Sequence, residues 1–226
     1  MGRPEPGTLI LSPRQASFPL KIRAGGSSDI EVFGQIFCQE EYACLRDLPA
    51  PKVIFDLGAN VGYSSAYLLS CFPSASLIAV EPDRGNFEQC RQNLAPYGER
   101  VQLVHGGIWN RRCRLSLDSG GDGREWALQV RESEQGEIAA WDIPSLMAMA
   151  DADAIDLLKV DIERSEIAVF DRDCLPWLRK VRNICIELHG ADCEAAFNKA
   201  MKGFACRRSV SGELTICRDI EPLKIT

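Results

Sequence analysis

Residues 53–62 read VIFDLGANVG and carry the strongest local signal in the chain. The apolar run over 53–55 is typical of a buried strand, and Gly58 marks the turn at which that strand ends. An amphipathic stretch over 61–72 follows and stops at Pro73, which predicts a helix. A strand, a glycine turn and a helix in this order are typical of a βα unit in a parallel sheet.

Short apolar runs and amphipathic stretches alternate through most of the remaining chain. The runs predict strands, and the stretches predict helices that cover the sheet. Residues 113–141 instead alternate polar and apolar side chains around a glycine-rich loop at 119–123, which predicts an antiparallel excursion. The expected fold class is α/β, with a doubly wound, mostly parallel, Rossmann-like sheet. We expect further strands at 77–80, 101–104, 155–160, 181–186, 204–208 and 213–217, and helices at 86–94, 143–149 and 193–201.

The first 50 residues differ from the rest of the chain in hydrophobic periodicity and composition. They lack a strong period and contain several turn-forming prolines and glycines. We interpret residues 1–50 as an N-terminal arm or cap that does not fold independently, because so short a segment buries too little apolar surface. Nothing resembling a linker interrupts residues 51–226, which are predicted to form one Rossmann-like domain.

The turn after the first predicted strand has the composition of a ligand-binding loop. Gly58 and Gly62 permit positive φ and the close approach of a ligand to backbone N–H groups. Asn60 stands where a dinucleotide-binding loop has its second glycine, so a pyrophosphate fits poorly. Glu81 ends the second strand, where a carboxylate can accept hydrogen bonds from both hydroxyls of a ribose. This combination predicts an adenosine group without a phosphate.

S-adenosylmethionine matches this prediction. Its ribose needs an acid, its amino-acid part needs backbone polar groups, and Asp56 is placed to favour its sulfonium. The simpler alternative is that Gly58 and Gly62 only shape a turn, while Glu81 is a solvated strand end. An NAD-dependent oxidoreductase is a further alternative, and Asn60 argues against it.

The chain also resembles the FkbM-type methyltransferases, on four motifs. It has VIFDLGANVG at 53–62, EPD at 81–83, LKVDIERSE at 158–166 and IELH at 186–189, and the similarity extends into the cap. The resemblance implies a class I methyltransferase sheet and an S-adenosylmethionine-dependent enzyme. Such enzymes usually methylate hydroxyls of sugars or secondary metabolites, so a small-molecule acceptor is expected.

One residue departs from the pattern of that family. The family usually has glycine after its Asp-Ile-Glu, and this chain has Arg164 there. A long, positively charged side chain at this position is expected to narrow the part of the site that binds the acceptor. It motivates the alternative of a catalytically impaired protein that binds S-adenosylmethionine without transferring its methyl group.

The candidate catalytic residues follow the two strands after the excursion. In a doubly wound sheet the ligand lies beyond the C-terminal strand ends at the switch point, which for this order is next to Asp161. If the chain stays extended, Asp161 and Glu163 share one face, as do Glu187 and His189. His189 has a suitable pKa for the base that takes the acceptor's proton. Asp161 or Glu187 is expected to orient His189 or to take the proton itself.

The cap adds one candidate to the cofactor site. Arg23 and Asp29 are placed to close over the cofactor, although a plain surface ion pair is the simpler interpretation. A rival mechanism has Asp161, Glu187 and His189 hold a divalent metal ion, since carboxylates and imidazole suit such ions. The primary prediction contains no metal. The predicted cofactor-binding residues are Asp29, Asp56, Gly58, Asn60, Gly62, Glu81 and Asp161.

Composition excludes several classes of protein. The chain has 226 residues, with 26 Lys plus Arg against 32 Asp plus Glu, for a formal charge of −6. That sign disfavours a nucleic-acid partner held over a broad face. The apolar runs are too short for a membrane span, so no membrane partner is expected. Ten cysteines without a CxxC pair, and the lack of an apolar leader, predict reduced thiols and a cytoplasmic location.

Overall fold

A seven-stranded sheet runs through the middle of the computed structural model, which describes residues 7–25, 27–119, 128–171 and 173–224. The strands are β1 (Thr8–Leu11), β2 (Leu20–Arg23), β3 (Val53–Leu57), β4 (Ser76–Glu81), β5 (Val101–His105), β6 (Gly107–Ile108), β7 (Arg114–Ser119), β8 (Leu128–Glu132), β9 (Ile138–Trp141), β10 (Leu157–Val160), β11 (Ile184–Glu187), β12 (Phe204–Ser211) and β13 (Leu214–Pro222). The α-helices are α1 (Asp29–Phe33), α2 (Tyr63–Cys71), α3 (Arg84–Leu94), α4 (Ile143–Met149), α5 (Glu166–Val169), α6 (Leu175–Leu178) and α7 (Ala191–Met201).

The strand order of this sheet is β12-β13-β11-β10-β3-β4-β5. Five neighbouring strands, from β11 to β5, are parallel, and β13 and β12 add an antiparallel edge. The chain runs outward from β3 to β5 and later returns to the other side of β3 through β10. The predicted doubly wound, mostly parallel sheet is therefore confirmed, and its switch point lies between β3 and β10.

Local capping residues explain where two helices begin. Asp83 Oδ1 accepts a hydrogen bond from the Asn86 backbone N–H at 2.8 Å and starts α3. Asp142 Oδ1 does the same for the Ser145 N–H at 2.8 Å and starts α4. Each cap satisfies a backbone donor that the first helical turn leaves without an intrahelical partner. Helix α4 spans the predicted range 143–149.

The excursion predicted between residues 113 and 141 forms part of a second sheet. Its strand order is β6-β9-β7-β8, with β7 antiparallel to both β8 and β9. Most of the glycine-rich loop predicted at 119–123 lies outside the described residues. Strand β9 of the excursion pairs with β6. Gly107 and Ile108 of β6 lie beyond the end of β4, beside the carboxyl edge of the main sheet.

The N-terminal segment packs its apolar side chains onto one face of the main sheet. It contains the β1–β2 hairpin, α1, a π-helical turn at Gly34–Cys38 and a 3₁₀ turn at Glu41–Leu45, none of which the sequence pattern predicts. The division of the chain at residue 50 remains a prediction. The apolar cluster that joins this segment to α2 includes Leu20, Ile22, Phe33, Phe37, Tyr42, Leu45, Tyr63 and Tyr67.

Two predictions from composition can be compared with the structure. No disulfide joins the ten cysteines, which all lie within the described ranges. In the part of the chain that the structure describes, no helix has both the length and the apolar character needed to cross a membrane.

Candidate active site

The loop after β3 depends on two glycines. Gly58 has φ +80°, and a Cβ built there would lie 1.7 Å from the carbonyl oxygen of Asp161. Gly62 has φ +87°, and a Cβ there would lie 3.0 Å from Cys90 Sγ. Residues with side chains rarely adopt such φ values, and Gly58 has no room for one. Glycine at 58 therefore lets the loop pass directly against the end of β10.

Glu81 ties this loop to the end of β4. Its Oε2 accepts a hydrogen bond from the Asn60 backbone N–H at 2.8 Å, and its Oε1 accepts one from the Asp83 N–H at 2.9 Å. Burial raises the pKa of Glu81 to about 7, although these two N–H groups oppose the shift. A carboxylate oxygen can accept more than one hydrogen bond, so Glu81 retains capacity for a ligand's hydroxyls.

A cleft opens beside Glu81, and we call it the first cleft. Val80, Pro82 and Ile108 give it apolar walls, and the backbone at Gly106 and Gly107 lines it closely. An apolar slot with a few polar groups is the usual form of a small-molecule site. The remaining lining residues are Gly58, Asn60, Glu81, Asn86, Val130, Asp161, Ile162, Glu163 and Ser165.

A buried ion pair lies beneath the glycine loop. Lys159 Nζ lies 3.1 Å from Asp56 Oδ1 and donates a hydrogen bond to the Gly58 carbonyl oxygen at 2.7 Å. Asp56 is fully buried, and its other oxygen accepts hydrogen bonds from the hydroxyls of Ser64 and Ser65, both at 2.6 Å. Burial opposes the charge on Lys159, but Asp56 and Asp161 keep its pKa above the ordinary value. The pair thus fixes the loop to β10.

His189 lies at the centre of four carboxylates. Its Nδ1 is 3.0 Å from Oε1 of the fully buried Glu166. Its Nε2 faces the other three carboxylates, at 3.5 Å from Glu187 and 3.7 Å from both Asp161 and Glu163. The convergence expected from the sequence is present, but by another route, because the chain leaves the extended conformation after β10. Glu163 has φ +48°, in a turn.

These charges shift the pKa values of the cluster in opposite directions. Burial disfavours the charged form of His189, but the hydrogen bond to Glu166 and the charge of Glu163 raise its pKa to about 9. Burial and the charge of Asp161 raise the pKa of Glu187 to about 7. Burial also opposes ionisation of Glu166, yet its hydrogen bond with His189 lowers its pKa overall. At neutral pH His189 is therefore a cation, and Glu187 is close to its titration point.

A second cleft, of about 510 Å³, adjoins the first. The two share Gly58, Asn60, Asp161 and Glu163 in their walls, so Asp161 lies where they meet. The N-terminal segment supplies much of the other wall of the second cleft. The lining residues outside the shared set are Glu31, Val32, Gln35, Ile36, Glu41, Tyr42, Ala59, Val61, Tyr63, Ser64, Lys159, Glu187, His189 and Glu213.

The structure places most of the predicted site residues on these two clefts. Gly58, Asn60 and Asp161 line both, Glu81 lines the first, and Glu187 and His189 line the second. Three predicted cofactor residues, Asp56, Gly62 and Asp29, line neither of the two clefts as described.

Two of these three residues are linked to cleft residues through hydrogen bonds and ion pairs. Asp56 reaches the clefts through Lys159, which lines the second. Asp29 is buried and paired with Arg23 at 2.6 Å, and Arg23 also donates to Asn86 of the first cleft at 2.8 Å. A direct contact of Asp29 or Asp56 with a cofactor remains a prediction.

Arg164 points away from the acceptor side. Its Nη1 donates to the His189 carbonyl oxygen at 3.1 Å, and its Nη2 lies 3.7 Å from Asp192. Among the described residues that line the two clefts, Arg164 is absent. Its φ is +75°, in the left-handed region that favours glycine. The guanidinium therefore does not narrow either cleft.

The alternative metal site has suitable donors. Asp161, Glu187 and His189 each offer a ligand atom, and these atoms lie within 4.8 Å of one another. Carboxylate and imidazole together suit a divalent ion. Exposed acidic groups commonly lie this close without a metal, so the spacing fits the alternative and does not establish it.

Sequence reasoning missed several residues of the site. Lys159 interrupts the buried strand LLKV, and a lysine in such a run is a signal that a buried acid lies nearby. Glu166 lies in the first turn of α5, where an acid is common without any role in a site. Glu41 and Tyr42 belong to the N-terminal segment, whose lack of periodicity hid them. Glu213 lies in the turn between the last two strands.

Comparison with known families gives one match over most of the chain. The profile described as "Methyltransferase FkbM domain" matches residues 56–204. This range contains the glycine loop, Glu81, Asp161, Glu187 and His189. It leaves out the N-terminal segment.

Two curated proteins are similar to parts of this chain. AMB antimetabolite synthetase AmbE of Pseudomonas aeruginosa is 24% identical over 200 residues, covering 70% of this chain and 9% of AmbE. Methyltransferase sdnD of Sordaria araneosa is 29% identical over 89 residues, covering 39% of this chain and 32% of sdnD. The chain thus spans less than a third of the length of either relative.

Two of the solved structures that are similar to this chain are both methyltransferases. A methyltransferase from Geobacter sulfurreducens has a TM-score of 0.49 and 16% identity, covering 86% of this chain and 89% of that chain. The O-methyltransferase TomG from Streptomyces achromogenes, solved in complex with SAM, has a TM-score of 0.48 and 14% identity, covering 81% of this chain and 80% of that chain.

Proposed function

Since the chain belongs to the FkbM methyltransferase family, we propose that it transfers the methyl group of S-adenosylmethionine to a hydroxyl of a small acceptor, such as a sugar or secondary metabolite. The observation that carries this proposal is the junction of the two clefts at Gly58, Asn60 and Asp161. A methyl donor in the first cleft and an acceptor in the second would meet at that junction.

On the cofactor side, the first cleft has groups that match each part of adenosine. Glu81 would accept hydrogen bonds from the two ribose hydroxyls, and the adenine ring suits the apolar walls at Pro82 and Ile108. Asp161 lies where the clefts meet and would favour the positive sulfonium. Asn60 would present backbone to the cofactor within the turn that Glu81 holds.

Methyl transfer to a hydroxyl is an in-line displacement. The acceptor oxygen forms a bond to the methyl carbon while the carbon–sulfur bond breaks, and the hydroxyl proton must leave. We assign that proton to Glu187, whose pKa of about 7 suits a base at neutral pH. His189 is protonated below its pKa of about 9, so it is better placed to donate a hydrogen bond than to accept a proton.

Titration calorimetry with S-adenosylmethionine and with S-adenosylhomocysteine tests the cofactor half of the proposal. We expect micromolar binding of both, and methylated product when acceptors are supplied. A folded protein that binds neither compound would contradict the proposal. Binding of both with no methyl transfer over a broad panel of sugars and polyols would favour the alternative of an impaired protein. Arg164 no longer motivates that alternative, because its guanidinium lies outside both clefts.

Glu81→Ala is expected to weaken cofactor binding by about 1–3 kcal/mol, because ribose hydroxyls lose their acceptor. The same change frees the Asn60 and Asp83 N–H groups that hold the loop. Calorimetry measures the change in affinity. Glu88→Ala is the control, since Glu88 is exposed on α3 and pairs with Arg91. Equal affinity in the Glu81 variant and the control would remove Glu81 from the cofactor site.

The rate of methyl transfer is expected to follow a bell-shaped pH profile. It rises as pH passes about 7, where Glu187 loses its proton, and falls above about 9, where His189 loses its own. The two limbs belong to the coupled pair of groups. His189→Ala should leave cofactor affinity nearly unchanged, lower turnover at least about tenfold and remove the alkaline limb. An unchanged alkaline limb in this variant would assign that limb to another group.

A further inference from the structure

The second cleft is strongly acidic. Six of its lining side chains are carboxylates, and they come from four separate parts of the chain. The N-terminal segment supplies two, the turn after β10 two, the end of β11 one and the turn between β12 and β13 one. The six are Glu31, Glu41, Asp161, Glu163, Glu187 and Glu213.

The cations that line this cleft already have partners. Lys159 is held by Asp56 and by the Gly58 carbonyl oxygen, and His189 is held by Glu166. Within the described ranges, the side chains of Glu41 and Glu213 form no hydrogen bond or ion pair. Asp161, Glu163 and Glu187 lie within 3.7 Å of His189 Nε2, so among the described residues the negative charge without a cation at contact distance lies at Glu41 and Glu213.

The acidic groups of this cleft repel one another. Burial raises the pKa of Glu41, and the charges of Asp161 and Glu213 add to that shift, although Lys159 opposes it. Burial and the charge of Asp161 likewise raise the pKa of Glu187. A positive group that enters the cleft relieves this repulsion, whereas an anion adds to it.

Tyr42 is an uncharged polar side chain on the wall of the second cleft, separate from the six carboxylates. Its side chain is only 3% exposed, and it lines the second cleft. Its hydroxyl has no hydrogen-bond partner among the described residues. Burial raises its pKa well above the ordinary value, so the phenol stays neutral and can donate or accept. A hydroxyl without a protein partner on the wall of a cleft is available to water or to a ligand.

The cofactor does not account for all of these groups. Asp161 and Glu163 line both clefts and are available to the sulfonium and the amino group of S-adenosylmethionine. Glu41, Glu187 and Tyr42 line only the second cleft. They form the part of the site that the acceptor would contact.

We propose that the methyl acceptor carries a protonated amine close to its hydroxyl, as an amino sugar does, and that Glu41 and Glu213 bind the ammonium while Tyr42 hydrogen-bonds a neighbouring polar group. This inference rests on the proposed function and names the class of acceptor. It also excludes acceptors that bear phosphate or carboxylate groups at that end.

Matched pairs of ligands test the inference directly. Glucosamine, galactosamine and mannosamine are titrated into protein saturated with S-adenosylhomocysteine, alongside their N-acetyl forms, which have no positive charge. EDTA is present throughout, so that no divalent ion supplies the charge. At least one amine is expected to bind ten or more times more tightly than its N-acetyl form and to be methylated when S-adenosylmethionine replaces the product.

Two variants of adjacent residues separate the cleft from general surface charge. Glu41→Gln should reduce the preference for the amine at least fivefold without changing the affinity for S-adenosylhomocysteine. Glu40→Gln is the matched control, because Glu40 is exposed and bonds to Gln15 and Arg46 outside the cleft. It should leave the preference unchanged.

The outcomes separate this inference from the proposed function. Failure of the protein to bind either form of the cofactor contradicts the proposed function. Cofactor binding with equal affinity for amines and N-acetyl forms, or with no binding of any amine, overturns only the inference. Methyl transfer that needs added Mg²⁺ and ignores the amine overturns it as well, and favours a metal at Asp161, Glu187 and His189.

Discussion

Gly58→Ala is expected to abolish cofactor binding and to lower the free energy of unfolding by more than about 3 kcal/mol. The added methyl group would lie 1.7 Å from the Asp161 carbonyl oxygen, which is backbone and cannot rotate away. The φ of +80° adds strain for any residue with a Cβ. Relief requires the loop to move away from β10, and that movement separates the walls that the two clefts share.

Urea unfolding and titration calorimetry measure the two effects of this substitution. Gly34→Ala is the control, because Gly34 has helical φ and ψ and a Cβ there meets nothing within 4 Å. We expect Gly34→Ala to change stability by less than about 1 kcal/mol, in the stabilising direction. If the Gly58 variant unfolded like this control and still bound the cofactor, the close contact with β10 would have no energetic importance.

Lys159→Met is expected to lower the free energy of unfolding by about 3–5 kcal/mol, because it leaves a buried carboxylate without its cation. Asp56 is fully buried, and after the change only the hydroxyls of Ser64 and Ser65 remain to stabilise its charge. The Gly58 carbonyl oxygen also loses a hydrogen-bond donor. Turnover should fall as well, since the glycine loop is no longer fixed to β10.

A double variant isolates the ion pair from other effects of the lysine. Adding Asp56→Asn to Lys159→Met removes the unpaired charge and should recover more than about 1 kcal/mol. Lys52→Met is the control for loss of a lysine, because Lys52 is exposed just before β3. Losses that simply add in the double variant would show that the two side chains do not stabilise each other.

The elements that the sequence predicted well are those with a local cause. Gly58 and Gly62 indicate a turn, because glycine adopts their positive φ values without strain. Helix α4 occupies its predicted range, and its start has local causes in Pro144 of the first turn and the Asp142 cap. The alternation of strands and helices likewise indicates the parallel part of the sheet, from β11 to β5.

The features that it did not predict depend on contacts between distant residues. Glu163 and Arg164 adopt left-handed φ values that their residue types disfavour, and Arg164 is held there by the His189 carbonyl oxygen. The sequence analysis assumed an extended chain and still placed Asp161 and Glu163 near His189. In the structure a turn, not an extended strand, brings them there. The pKa of His189 likewise depends on Glu166, a residue 23 positions away. No local pattern reports that pairing.

The wall of the second cleft that contains Glu31, Glu41 and Tyr42 belongs to a segment outside the central sheet and before the matched family domain. The groups assigned to the methyl donor belong to the sheet and its loops. Under the proposed function, one wall of the acceptor cleft thus comes from a different stretch of the chain than the groups assigned to the methyl donor, while Glu187 and Glu213 complete that cleft from the end of β11 and the β12–β13 turn. Exchanging residues 30–45 together with the β12–β13 turn for those of another family member would offer a route to new acceptors that leaves Asp29 and the groups assigned to the donor in place.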